Sequence, residues 1–185
     1  MFNDLRDFID QAAAMGDVKT VEGADSELEI GALTDIFAER ADAPLLMFDK
    51  IKGHPPGFRV ASNLFSTQRR TALGLDLPLE ASGIDLVRAL RERLKAAVNP
   101  IPVELVKDGP VTENIITGDD VDLWKFPSPR WHELDGGRYI GTGTACITRD
   151  SDEGWVNVGT YRIQVHDRNT VTASLVQGHH GQIIA

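Results

Sequence analysis

Cysteine is almost absent from this chain: Cys146 stands alone among 185 residues. An internal disulfide is therefore impossible, and a cysteine-rich zinc site is excluded. Long apolar runs are missing as well. No stretch reaches the roughly 18 residues that a membrane-spanning helix requires. The N-terminus, Met1-Phe2-Asn3-Asp4, is acidic and lacks the basic and apolar regions of a secretory signal. Basic residues are scarce, with 19 Lys and Arg against 28 Asp and Glu and a net charge of -9. That balance excludes a general phosphate-backbone binder, which needs a basic face. The acidity is local: residues 1–44 hold 11 acids and 3 bases. These absences predict a cytoplasmic protein with neither a nucleic-acid nor a membrane partner.

What is present divides into two textures. The first is helical and strand-like in alternation. Phe2, Leu5, Ile9 and Ala12 recur at helical spacing over residues 3–15, with Gly16 as a stop. Ser26 and Glu29 have the spacing of a capping box for a helix over 27–41, whose apolar face is Ile30, Leu33 and Phe37. Leu45-Leu46-Met47-Phe48 reads as a buried strand, residues 58–65 as another, and 67–75 as a short helix. Ser82 and Asp85 open a long helix with the stripe Ile84, Val87, Leu90, Leu94 and Val98, closed by Asn99-Pro100. Its Arg88, Arg91, Glu92, Arg93 and Lys95 read as a solvated face.

The second texture begins after residue 100. Strand-like runs at 103–106, 143–149, 155–166 and 170–176 alternate with Asp, Gly and Pro. The chain is therefore expected to be α/β, with a first domain over 1–118 and an antiparallel β domain, a barrel, over 119–185. The closing stretch, Gly181-Gln182-Ile183-Ile184-Ala185, is apolar and uncharged. An unclosed barrel leaves open strand edges, so the expectation is that further chain completes the fold.

Four segments hold candidate chemistry. In Trp155-Val156-Asn157-Val158-Gly159-Thr160-Tyr161-Arg162, strict alternation puts Asn157 and Arg162 on opposite faces. Gly159 marks a bulge or a close backbone approach, and a bulge would bring both polar side chains to one side. An edge strand with solvated Asn and Arg is the competing reading. Gln177-Gly178-His179-His180-Gly181 offers imidazoles for a transition metal, or is a surface turn. Residues 131–144 have the glycine density of a phosphate-approaching loop, or of a plain turn. They match neither a Walker loop nor a Rossmann motif. Cys146, in a strand, reads as a buried structural thiol.

The order of these segments carries more than each alone. The run Phe126-Pro127-Ser128-Pro129-Arg130-Trp131-His132-Glu133-Leu134-Asp135-Gly136-Gly137-Arg138-Tyr139-Ile140-Gly141-Thr142-Gly143, then Asn157-Val158-Gly159-Thr160-Tyr161-Arg162, then a His 23 residues after Asn157, resembles the UbiD-like decarboxylases. Leu45 to His54 and Asn63-Leu64-Phe65-Ser66-Thr67-Gln68-Arg69-Arg70 are similar to earlier parts of that family.

The resemblance implies an N-terminal α/β domain followed by the first part of a split β-barrel that binds flavin. It implies a non-oxidative, reversible decarboxylase of an aromatic, heteroaromatic or α,β-unsaturated acid that uses prenylated FMN. Asn157 and His180 would be ligands of a divalent ion, typically Mn²⁺. The carbonyl of Trp155 would lie near a K⁺ ion. Thr160, Tyr161, Arg162, Ser174, Leu175, Val176 and His179 would line the cofactor. Arg162 would be the catalytic arginine, paired with glutamates further along a complete protein. A homo-oligomer, and a flavin prenyltransferase as cofactor supplier, are implied as partners. The rival expectation is a non-catalytic FMN-binding or assembly subunit on the same barrel.

Overall fold

The computed structural model describes residues 2, 4–96, 102, 104 and 106–184. It is a mixed α/β structure with two three-stranded sheets, neither of them closed. Two compact units interleave along the chain. The first takes in Met1–Val21, Thr34–Met47 and Ala61–Gly118; the second takes in Glu22–Leu33, Phe48–Val60 and Asp119–Ala185.

The first unit begins with α1 (Leu5–Ala14). The Asp4 carboxylate caps it, accepting from the backbone N–H of Arg6 at 2.7 Å and of Asp7 at 3.0 Å. The Asp7 hydrogen bond holds the Asp4 carboxyl below the usual carboxylate range. Gly16, at φ +77°, then turns the chain. The first sheet has the order β1 (Val18–Glu22), β2 (Leu45–Asp49), β3 (Val60–Ser62). Its central strand is buried over Leu45–Phe48, as expected of an uninterrupted apolar run. Phe8 and Ala12 of α1 pack on Leu45 and on Leu73 of α3 (Gln68–Gly74).

An ionised side chain organises the loops of this unit. Arg70 is 1% exposed. Its Nε donates to the carbonyl of Leu64 at 3.0 Å, and one terminal nitrogen donates to those of Ala43 at 2.5 Å and Asn63 at 3.0 Å. The other lies 3.7 Å from the Asp17 carboxylate. Burial pushes the Arg70 pKa down from its ordinary value, and the charge of Asp17 opposes that shift.

The long helix α4 (Gly83–Ala96) forms as its periodicity predicts, but its orientation differs. Ile84, Val87 and Leu94 are exposed, at 61%, 59% and 64%. Leu86, Ala89 and Leu90, spaced i, i+3 and i+4, form the half-buried side. The polar face is paired locally, Arg88 with Asp85 at 3.0 Å, Lys95 with Glu92 at 2.7 Å and Arg93 with Asp76 at 3.0 Å. This agrees with a solvated surface. Val98, Asn99-Pro100 and part of the strand expected over 103–106 lie outside the described residues.

The second unit contains the start of α2 (Glu29–Ala38). The capping box expected of Ser26 is not what forms. Glu29 accepts from the Asp25 N–H at 2.8 Å, while the Ser26 hydroxyl accepts from the Arg138 guanidinium at 2.6 Å. A charged donor outcompetes a backbone N–H for that oxygen. Arg138 and Arg130 both bind the Glu27 carboxylate, at 3.0 and 2.9 Å. They tie the approach to the second sheet back to this corner. Gly31 is needed here, because a side chain on it would overlap the Trp131 backbone.

The second sheet is an antiparallel meander of β4 (Arg138–Arg149), β5 (Val156–Val165) and β6 (Val171–Ala173). The second half of the glycine-rich run over 131–144, expected to be a loop or turn, is the start of β4. The 150–155 connection is closed by Asp150, whose N–H donates to the Trp155 carbonyl at 2.9 Å. A short helix, α5 (His180–Ile184), follows β6. Among the described residues no helix is long and apolar enough to cross a membrane.

Candidate active site

The register of the second sheet decides which side chains meet. Asn157 stands opposite Thr148, Gly159 opposite Cys146, and Tyr161 opposite Thr144. The pairing runs unbroken through Gly159. The irregularities fall on β4 instead, between Tyr139 and Gly141 and between Gly141 and Thr144. The bulge expected at Gly159 is therefore absent. Alternation holds, and Asn157 and Arg162 occupy opposite faces of β5. Cys146 is half-buried rather than buried.

On the Asn157 face, side chains close around one phenol. The Asn157 Nδ2 donates to the Tyr161 hydroxyl at 3.1 Å and to the Thr148 hydroxyl at 3.2 Å. The Tyr161 ring lies back over Gly159, where a Cβ would stand 2.7 Å from it. It also lies against Gly181 of α5, where a side chain would overlap the hydroxyl. Glycine at 159 is thus accounted for by the close approach of the Tyr161 side chain.

Asn157, Gly159, Thr160, Tyr161, Gly178, His179 and His180 line a cleft of about 370 Å³. No acidic side chain lines it, in a chain with a net charge of -9. The His180 ring meets the Trp155 ring edge-on, with centroids 5.3 Å apart and planes at 77°. The Trp155 carbonyl, expected beside K⁺, accepts from Asp150. One lone pair remains on it.

Arg162 is on the other face, its guanidinium 5.8 Å from the centre of the Tyr139 ring. Tyr139 was not a candidate in the sequence. A ring paired one strand away leaves no local signal. Ser174, Leu175 and Val176 continue from β6 as exposed residues outside the cleft lining. The Ser174 N–H donates to the Arg162 carbonyl at 3.0 Å, which fixes the backbone of both.

The cleft can hold a cation and an anion together. Both polar hydrogens of the Asn157 amide nitrogen are directed at hydroxyl oxygens, so its Oδ1 is the atom that remains to coordinate. An amide oxygen with an imidazole suits a first-row divalent ion. Among the described residues no three His, Cys, Asp or Glu side chains gather as a metal site. Asn157 and His180 would supply two donors of a larger coordination shell. A lining without a carboxylate also suits an anion such as a phosphate group.

Comparison with known proteins shows what the chain is similar to. Residues 9–90 match the 3-octaprenyl-4-hydroxybenzoate carboxy-lyase N-terminal domain, and residues 104–185 match the Rift-related domain of the same carboxy-lyase. The chain is 36% identical over 190 residues to pyrrole-2-carboxylic acid decarboxylase of Pseudomonas aeruginosa, covering 98% of this chain and 38% of that protein. Vanillic acid decarboxylase of Sedimentibacter hydroxybenzoicus, in closed form, superposes with a TM-score of 0.89 at 30% identity, over 100% of this chain and 39% of that one. An evolved dimeric form of the UbiD-class enzyme HmfF from Pelotomaculum thermopropionicum, in complex with prFMN, gives 0.78 at 30% identity, over 95% and 39%. The chain spans less than two-fifths of the length of these relatives. Within that span it belongs to the UbiD family of carboxy-lyases, as their N-terminal portion.

Proposed function

We propose that this chain contributes the N-terminal and flavin-binding parts of a non-oxidative decarboxylase acting on an aromatic, heteroaromatic or α,β-unsaturated carboxylic acid. The observation that carries the reading is the acid-free cleft in which Asn157 and His180 converge. Similarity to named decarboxylases of a heteroaromatic and an aromatic acid, and to a UbiD-class enzyme in complex with prFMN, supports it. Residues 1–118 form the α/β part, and residues 119–185 begin the split barrel.

Asn157 Oδ1 and a His180 ring nitrogen hold a divalent ion, Mn²⁺ by its tolerance of mixed oxygen and nitrogen donors. The remaining lone pair of the Trp155 carbonyl is the place for K⁺. Thr160, Tyr161, Arg162 and His179 would line the cofactor, and Ser174, Leu175 and Val176 are exposed side chains that a bound flavin would cover. Prenylated FMN supplies the electron sink for the carbon–carboxylate bond. Arg162, stacked on Tyr139, offers a planar fork of N–H donors to the substrate carboxylate and orients it for loss of CO₂. A flavin prenyltransferase supplies the cofactor, and the complete enzyme is a homo-oligomer whose reaction runs in either direction.

A non-catalytic FMN-binding subunit would bind flavin equally but would not need Arg162. The test is CO₂ release from a panel of furan-, pyrrole- and hydroxybenzene-carboxylic acids by the full-length protein co-expressed with a flavin prenyltransferase. The expected result is release from at least one acid, dependent on the prenylated cofactor. Flavin binding with no release from any of them would favour the subunit.

A further inference from the structure

Tyr161 contacts more of the cleft than a wall residue needs to. Its hydroxyl accepts from the Asn157 amide at 3.1 Å. Its ring lies across two glycines at once, Gly159 on its own strand and Gly181 on α5. Gly181 is buried and adjoins His180. One side chain therefore touches both elements that carry the metal donors.

We propose that Tyr161 is a positioning residue that presets the divalent-ion site, through its hydroxyl at Asn157 and through its ring at α5. The inference rests on the reading of Asn157 and His180 as metal donors, and assigns Tyr161 a role distinct from lining the flavin. The chemistry is that of a hydrogen bond behind a metal ligand. A carboxamide rotates readily about its last torsion and can present either nitrogen or oxygen to the cleft. Two hydroxyls, Tyr161 and Thr148, take the nitrogen, so the oxygen faces the ion before it arrives. Partners of this kind typically contribute 10–100-fold to metal affinity. The ring has a second, separable task. It fills the space between β5 and α5 that two missing Cβ atoms leave, and so sets the depth at which His180 enters the cleft. The edge-on Trp155 ring then fixes the imidazole plane.

The separation makes the proposal testable. Tyr161→Phe keeps the ring and removes the hydroxyl. In the full-length protein, Mn²⁺ affinity measured by calorimetry should fall about tenfold, with the melting temperature unchanged. The Mn²⁺ electron paramagnetic resonance spectrum should broaden as the amide oxygen loses its fixed orientation. Thr148→Val, which removes the other acceptor, should lower affinity in the same direction and keeps the test alive should Tyr161→Phe fold poorly. Wild-type affinity and spectrum in both variants would overturn the proposal while leaving the metal site standing. Failure of the wild-type protein to bind Mn²⁺ would overturn both.

Discussion

Replacing Arg162 by Ala in the complete enzyme should lower turnover by roughly a thousandfold or more, the scale associated with losing a charged group that orients and stabilises a reacting anion. Metal content and bound flavin should stay at wild-type levels. The separation follows from the sheet. Arg162 and Asn157 are on opposite faces of β5, so truncating one leaves the hydrogen bonds of the other intact. The cost to folding should be small. The guanidinium is exposed, and its stacking on Tyr139 at 5.8 Å contributes about 0.5–1 kcal/mol. Arg162→Lys should recover little activity, because an ammonium cannot reproduce a two-point contact with a carboxylate. Steady-state rates together with metal analysis of the same preparations check this. Equal loss of metal and activity would place Arg162 in the cation site instead.

The second large effect concerns stability. Arg70→Met should destabilise the first compact unit by about 3 kcal/mol, the cost of leaving several buried acceptors without donors. The melting temperature should fall by roughly 10 °C. Methionine can occupy the space, but the carbonyls of Ala43, Asn63 and Leu64 lose their shared donor, and Asp17 loses its buried cation. Arg70→Lys should recover only part of this, since one ammonium cannot reach three carbonyls in those directions. Thermal unfolding of the two variants is the measurement. A Met variant within 1 °C of wild type would show that water replaces the guanidinium at little cost, which this degree of burial argues against.

Arg70 also shows where sequence reading stops. Nothing in Gln68-Arg69-Arg70 says that the second arginine is inside and the first, at 45% side-chain exposure, is not. The preference of arginine for the surface is a composition rule, and burial here depends on three loops, of which those at Asp17 and Ala43 are distant in sequence. Periodicity was enough for α1, α2, β2 and α4, because each repeats an apolar spacing over several turns or residues. It was not enough to orient α4, whose apolar residues exceed one face, so that Ile84, Val87 and Leu94 point outward. Strand β1, Val-Lys-Thr-Val-Glu, carries no strand signal because its apolar residues Val18 and Val21 are three apart rather than alternating, and both are only half-buried. Helix α5 is five residues long and leaves no helical period, and His179-His180 between glycines reads as a turn.

The candidate site was legible as a set of residues and illegible as an arrangement. Asn157, Gly159 and His180 could be singled out from spacing and from family resemblance. The reason for the glycine could not. It lies in the ring of Tyr161, two residues along the same strand, and alternation alone does not reveal a side chain folded back along its own strand. The displacement of the bulges to β4 is equally invisible, since the glycines at 141 and 143 compete with Gly159 for that role.

The central claim is that β5 and α5 together hold a divalent ion that secures the flavin. Metal and flavin content of full-length wild-type and His180→Ala protein, each purified after co-expression with a flavin prenyltransferase, test it most directly. The account predicts bound Mn²⁺ and flavin absorbance in the wild type, and loss of both in His180→Ala with the fold retained by circular dichroism. His180→Ala protein that keeps wild-type amounts of metal and flavin would contradict it.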